Sequence, residues 1–501
     1  MLGQSLWRTH DAPPFGGAAL PNRVDVVVVG GGITGLTAAL LLKQSGRTVA
    51  VFERERIGAG ETGNTSAHLT YVTDMKLSEL ATRFGRDAAR RIWRGGAAAI
   101  DLIETNAGNR GIACGFQRVP GFLCAPFAGT DEQGTELQEE AALATELGFA
   151  ARYVERGPVT GRPAVSFADQ ALFHPLDYVT GLALAVDGSG SFVRDMAEVG
   201  QVIQDPLAVI VNGETIACDD VIIATHVPIM GSASLINATL FQTKLYPYSS
   251  YVLGARVGSD APAPGLYSDT SDPYYYLRVH EQRGERYAIF GGEDHKTGKE
   301  EDTESRFARL ENAFRTLIPS AQIERRWSGQ VIETSDGLPF VGQTADHQHM
   351  ATGYAGNGMT FGTLAAMMLH DAVMGLQNPW RDLFDPNRKA TSLGAAAHYI
   401  AENVDYPYHY IADRLRHREQ GDVASVDRGD GKVLTIDGQR VACHRTAAGK
   451  LIKVSAVCTH MGCLVRWNGA ETTWDCPCHG SRFTVDGLVL GGPAEAPLEP
   501  L

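Results

Sequence analysis

The sequence predicts an α/β unit interleaved with a β-rich α+β unit, followed by a small all-β unit. Three observations predict this. A glycine turn near residue 30 joins a β-branched run to a helical pattern, strand-like segments dominate from about 155 to 330, and short strands with Gly turns surround a cysteine–histidine cluster after residue 421. At 501 residues the chain has room for about three domains of roughly 150 residues. Hydrophobic residues at 44% and charged residues at 20% can bury large cores, which excludes wholesale disorder. With 44 Lys and Arg against 58 Asp and Glu, the formal charge is -14, which repels phosphate backbones and argues against a nucleic-acid partner. The short basic run Arg414–Arg418 is flanked by Asp413 and Glu419 and reads as a solvated helix face. The first residues lack a basic-then-apolar export pattern, and the apolar run from Val26 to Leu42 is broken by Gly30, Gly31 and Gly32. The expectation is a cytoplasmic protein without a transmembrane segment.

In chain order, Val24-Asp-Val-Val-Val-Val29 is a β-branched run, with Asp25 as its one exception, of the kind a buried parallel strand requires. Leu36, Leu40 and Leu41 follow at helical spacing, and Gly46 closes that helix. Thr48 to Phe52 supplies a second strand, so a βαβ unit is complete in about 30 residues. Residues 78–110 and 136–148 read as helices. Asp220–Ala224, Tyr246–Leu253, Tyr274–His280 and Arg286–Phe290 read as strands, with Gln282–Glu285 as a hairpin loop. Gly353–Met359 is glycine-rich and leads into a helix over 364–370. Residues 386–420 read as a linker, with a connecting helix over 395–419 interrupted near Pro407.

Gly30, Gly32 and Gly35 form G-x-G-x-x-G between strand and helix, with Ile33 and Thr34 inside it. The first glycine permits the tight turn, the second admits a pyrophosphate to the backbone, and the third lets helix and strand pack closely. Glu53 lies 53 − 35 = 18 residues beyond, where a carboxylate accepts from ribose hydroxyls. The fingerprint alone does not separate FAD from NAD.

The loop Gly58 to Leu69, the segment Trp327 to Gly342, the turn Gly353 to Met359 and Ala224-Thr-His226 together resemble the FAD-dependent glycine and D-amino-acid oxidase family, which includes sarcosine oxidase. The resemblance covers about residues 22–378. It implies a Rossmann-type FAD-binding domain, with a substrate domain lying over one face of the flavin. It places Glu53 and Arg54, the loop Thr65, Ser66, Ala67, His68 and Leu69, the backbone of Val199, and Gly353, Gly356, Asn357, Gly358 and Met359 at the FAD. His68 is expected as a non-covalent neighbour of the flavin.

Cys458-Thr-His460 and Cys476-Pro-Cys478-His479 form C-x-H…C-x-x-H, with 15 residues between His460 and Cys476. Two thiolates and two imidazoles can hold a two-iron, two-sulfur cluster, and the same four side chains also satisfy tetrahedral zinc. Both boxes, with Gly491-Gly-Pro-Ala494 downstream, resemble the Rieske ferredoxin family. That resemblance makes Cys458, His460, Cys476 and His479 ligands of a 2Fe-2S cluster, and Cys463 and Cys478 the disulfide of its respiratory branch. Ser481 fits a serine that donates to the cluster. Phe483 stands where that branch has a tyrosine, which implies a lower potential. The chain stops soon after Pro497, so the last strand of such a domain is expected to be short or missing.

Cys114, Cys124, Cys218 and Cys443 lack ligand spacing and read as small buried hydrophobes. Among the tyrosines, one or two are expected to wall a substrate pocket, with Tyr276 the candidate. Arg278 is the candidate partner for a substrate carboxylate. His280, Asp294, His295 and Lys296 are weaker candidates.

The expected organisation is an oxidoreductase unit over 1–385, the linker 386–420, and the Rieske unit over 421–501. Within the first, FAD-binding parts fall at about 22–110, 180–230 and 330–380, and substrate parts at about 111–179 and 231–329. The expected function is an FAD-dependent dehydrogenase of a small amine or amino acid, of N-methyl or D-amino-acid type. Electrons would pass from flavin through the cluster to an external acceptor such as a ferredoxin, cytochrome or quinone, in a possible homo-oligomer. Two rivals keep the same cofactors. One is an oxygen-using amine oxidase whose cluster tunes redox state, and the other is an electron-transfer module serving a partner protein.

Overall fold

The computed structural model describes residues 3–8, 13–16, 19–130, 133–228, 244–282, 284–388 and 421–501. The connecting helix expected over 395–419, and most of the linker, lie outside the described residues.

Strand Val26–Val29 lies at the centre of a six-stranded sheet. It pairs in parallel with Val49–Phe52 on one side and Asp220–Ile223 on the other. Phe192–Arg194 extends one edge in parallel, and Gln348–Thr352 followed by Phe340–Ala345 extends the other. Alternation assigns Val26 and Val28 to one core, with Leu36, Leu40 and Val51, and Val27 and Val29 to a second core, with Phe52, Val209 and Val221. Both faces are therefore covered, which is why the run is apolar throughout rather than alternating. Burying each such Val is worth about 1.5–3 kcal/mol.

A nine-stranded, largely antiparallel sheet carries the second unit. Its long strands Leu245–Arg256, Glu285–Lys296 and Gln322–Thr334 run side by side, and Tyr276–Gln282 pairs with Glu285–Lys296. The helix expected over 78–110 is two helices, Leu77–Phe84 and Arg86–Arg110, because Gly85 between them takes a φ of 88°, outside the right-handed helical region. Helices Pro175–Val186 and Thr303–Leu317 interrupt the region expected to be mostly strand.

The C-terminal unit consists of a three-stranded and a four-stranded antiparallel sheet. They pack around Trp474 and Phe483, both fully buried beside Cys458, Cys463 and Cys476. Its final strand, Val489–Gly491, has three residues, and Pro500 bridges back to Val454. The unit is docked on the large sheet rather than standing apart. Gln330 Nε2 donates to the carbonyl of Gly480 at 2.9 Å, and Ala470 N donates to Thr303 Oγ1 at 3.2 Å. No helix among the described residues is long and apolar enough to cross a membrane.

Candidate functional site

A cavity of about 1230 Å³ opens between these units. At one end lies the glycine turn. Gly30 has a φ of 109°, and a Cβ there would fall 2.5 Å from the carbonyl oxygen of Ala224, so strand-end and turn backbones touch. A Cβ on Gly35 would fall 2.0 Å from the Gly30 carbonyl oxygen, which fixes the helix start against the turn. Glu53 accepts from the N–H of Gly31 at 2.8 Å and of Glu55 at 2.9 Å, while burial raises its carboxyl. The N-terminus of helix Ile33–Gln44 borders this end through Gly32, Ile33 and Thr34, with the Ile33 N–H donating to Thr62 Oγ1 at 3.1 Å.

Of the residues expected at the dinucleotide, Gly30, Gly32, Ile33, Thr34, Glu53, Arg54, Thr65, Ser66, His68, Val199, Gly356, Asn357, Gly358 and Met359 border the cavity. Gly35, Ala67, Leu69 and Gly353 do not, and each has a framing position instead. Leu69 follows His68 on a strand, so alternation turns it into the core, where Ala67 is also buried. Gly353, with a φ of 79°, packs against Thr334 before the turn.

Two imidazoles facing the cavity have a buried Nε2 without a hydrogen-bond partner among the described residues, His68 and His226. Burial lowers them to about 3 and about 4, so both are neutral rings. A flat, polar cofactor supplies such groups with partners. Together with the open glycine cradle, they fit an FAD.

Arg278 departs from its expected role. It lies two residues beyond Tyr276 on the same strand, but the His68 loop and Trp7 close over it. Its guanidinium donates to the carbonyls of Ala67 at 2.7 Å and Phe173 at 2.9 Å, with Trp7 stacked 4.8 Å away. It is 2% exposed and does not border the cavity, so no substrate carboxylate reaches it. Burial lowers it to about 9. Tyr276 does border the cavity, its hydroxyl 2.9 Å from Ser250 Oγ.

The far end of the cavity is walled by the C-terminal unit, through Arg482 and the Gly491 to Ala494 loop. Behind that wall, Cys458 and Cys476 share a sulfur–sulfur hydrogen bond, which lowers Cys458 and raises Cys476. The rings of His460 and His479 lie 4.9 Å apart, edge to face. Burial keeps both neutral, lowering them to about 4 and about 3, which is the form a metal requires. Cys463 and Cys478 are joined as a disulfide. Their sulfurs lie within 4.8 Å of Cys476, yet as bonded sulfurs they offer no thiolate, which leaves two Cys and two His as the donor set. The serine at 481 reaches Cys458 with its hydroxyl and accepts from Ala494 N at 3.1 Å. Cys114, Cys124, Cys218 and Cys443 are buried elsewhere.

Between the two sites lies a buried ionic junction. Arg482 pairs with Glu471 at 2.8 Å and Asp475 at 3.3 Å, and donates to Ser328 Oγ at 3.3 Å. Glu61, the first residue of the short helix Glu61–Asn64, accepts from Gln330 N at 2.8 Å and feels the charge of Arg482. Sequence reading left Glu61 unremarked inside a glycine-rich loop, and Arg482 carries no motif of its own.

Residues 25–372 match the family described as FAD dependent oxidoreductase, and residues 418–501 match the Rieske [2Fe-2S] domain. The chain belongs to the FAD-dependent oxidoreductase family and ends in a Rieske domain. It is 31% identical to YhfW of Bacillus subtilis, a Rieske 2Fe-2S iron-sulfur protein, over 99% of this chain and 97% of that one. The γ-glutamylputrescine oxidoreductase of Escherichia coli is 24% identical over 70% of this chain and 84% of its own. Glycine oxidase from Geobacillus kaustophilus shares the fold, with a TM-score of 0.59 at 20% identity, over 74% of this chain and 100% of that one. The family binds FAD and the Rieske domain a 2Fe-2S cluster, and both donor sets described above suit those groups.

Proposed function

We propose that this oxidoreductase is a dehydrogenase of an amine or amino acid, of N-methyl or D-amino-acid type, whose electrons leave through its own Rieske cluster to an external acceptor. One observation carries the reading: a single cavity is walled by the dinucleotide turn at one end and by the loop covering the cluster at the other. When bound, FAD supplies two-electron acceptance and the cluster one-electron transfer. The substrate loses a hydride from the carbon beside its nitrogen, the nitrogen lone pair closes a C=N bond, and water then releases a carbonyl compound and an amine.

The chain's own residues bind and orient. Gly30, Gly32, Ile33, Thr34, Glu53, Arg54 and Val199 hold the dinucleotide, and Thr65, Ser66, His68 and Gly356 to Met359 flank the ring. Cys458, Cys476, His460 and His479 hold the irons. Gln330 ties the flavin loop to the cluster box, donating from its backbone to Glu61 and from its side chain to Gly480. The name of the Escherichia coli relative, an oxidoreductase of an amine, supports this substrate class. The proposal includes functional units at 1–385 and 421–501 joined by 386–420, a ferredoxin, cytochrome or quinone as acceptor, a cytoplasmic location and a homo-oligomer.

Anaerobic titration of the holoprotein with candidate amines tests it, followed by visible and EPR spectra. The flavin should bleach first and the cluster second. Bleaching confined to the flavin overturns the relay. Equal hydrogen peroxide yield in air from the parent and Cys458→Ser would favour oxygen as the acceptor.

A further inference from the structure

The part of the cavity beyond His68 is acidic and aromatic. Asp74 and Asp294 both border it, together with Tyr274, Tyr276 and Ser250. Asp74 is held by the N–H of Gly356 at 2.7 Å and the hydroxyl of Tyr274 at 3.3 Å, neither of which carries a charge. Asp294 is bonded to Ser250, and its Oδ1 is buried without a partner among the described residues. The charge of Asp74 reaches Asp294, and burial raises Asp294 to about 7. Arg306, a cation acting on Asp294, is itself held by Glu300 and Glu293. Asp74 opens onto the cavity and Asp294 keeps one buried oxygen open beside it, so an entering cation gains two carboxylates there.

The aromatic wall is built with the same care. Tyr274 and Tyr276 lie 6.0 Å apart at an interplanar angle of 49°, and Tyr276 meets His68 edge to face at 5.6 Å. The Tyr276 ring crosses Gly291 so closely that a Cβ there would fall 2.1 Å from the ring. Tyrosine faces beside carboxylates form a surface for an ammonium ion. They repel a carboxylate, and Arg278, two residues beyond Tyr276 on its strand, is sealed behind Trp7.

We propose that this end of the cavity selects a substrate presenting an ammonium group and no carboxylate, a diamine or polyamine rather than an amino acid, with Asp74 and Asp294 pairing the ammonium and Tyr274 and Tyr276 walling it. The assignment rests on the amine-oxidising reading above and, of its two substrate classes, takes the amine in place of the amino acid. Asp294 is the specificity-determining residue, because its oxygen is the one left open.

Calorimetry on the oxidised holoprotein tests this without turnover, with 1,4-diaminobutane and spermidine against sarcosine and D-alanine. The diamines should bind at least tenfold more tightly than the amino acids. Asp294→Asn, isosteric and checked for its flavin spectrum, should weaken 1,4-diaminobutane at least tenfold, and Asp74→Asn should do the same. Tighter binding of sarcosine or D-alanine, no diamine binding, or an unchanged Kd in Asp294→Asn overturns the assignment. An amino acid that bleaches flavin and then cluster would overturn this assignment and leave the relay standing. Diamine binding with no bleaching would do the reverse.

Discussion

Replacing Glu61 by Gln removes one charge from the junction between flavin loop and cluster box without changing its shape. Burial is the largest influence on this carboxyl and carries it from 4.5 to about 7, against the opposing pull of the Gln330 N–H and Arg482. At about 1.4 kcal/mol per pH unit, that rise corresponds to about 3 kcal/mol. The folded protein holds this proton more tightly than the unfolded chain does. The group's contribution to stability is therefore complete below about pH 4.5 and is lost as pH rises through about 7. Glutamine carries no proton to lose and keeps an oxygen for the Gln330 N–H, now 2.8 Å away. Arg482 retains Glu471 and Asp475, so no cation is left unpaired. Parent and Glu61→Gln should unfold alike near pH 4.5, and the variant should be more stable by about 3 kcal/mol at pH 8. Guanidinium unfolding of both holoproteins, followed by tryptophan fluorescence across that range, measures the difference. A difference that stays flat with pH, or a less stable variant at pH 8, would refute the reasoning.

Three further outcomes follow from close contacts. Gly35→Ala drives a methyl to 2.0 Å from the Gly30 carbonyl and should abolish flavin retention while sparing the cluster's EPR signal, both read on purified protein. Gly480→Ala meets Pro247 at 2.3 Å at a φ of +69°, so it should unseat the cluster box and slow cluster reduction in stopped flow, with flavin reduction unchanged. Phe483→Tyr adds a hydroxyl inside the core that holds Cys458 and Cys476. A bond worth about 1 kcal/mol more to the reduced cluster raises its potential by about 45 mV, which potentiometry would detect.

The sites that a local pattern encodes were legible in the sequence. Strand, glycine turn, helix and Glu53 lie within one short stretch, and each cluster box is a few residues long, so spacing alone brings their side chains together. What the sequence hides depends on distant packing. Arg278 reads as an anion partner on a strand beside Tyr276, but its direction is decided by Trp7, some 270 residues earlier (278 − 7 = 271). Asp74 and Asp294 border the same cavity although 294 − 74 = 220 residues separate them. The helix expected over 78–110 breaks at a single glycine whose left-handed backbone no periodicity announces.

Because the cavity's wall belongs partly to the C-terminal unit, whatever fills it grips both units at once. By thermodynamic linkage, a ligand that touches both walls tightens the seat of the iron-bearing unit, and a seated unit in turn slows that ligand's escape.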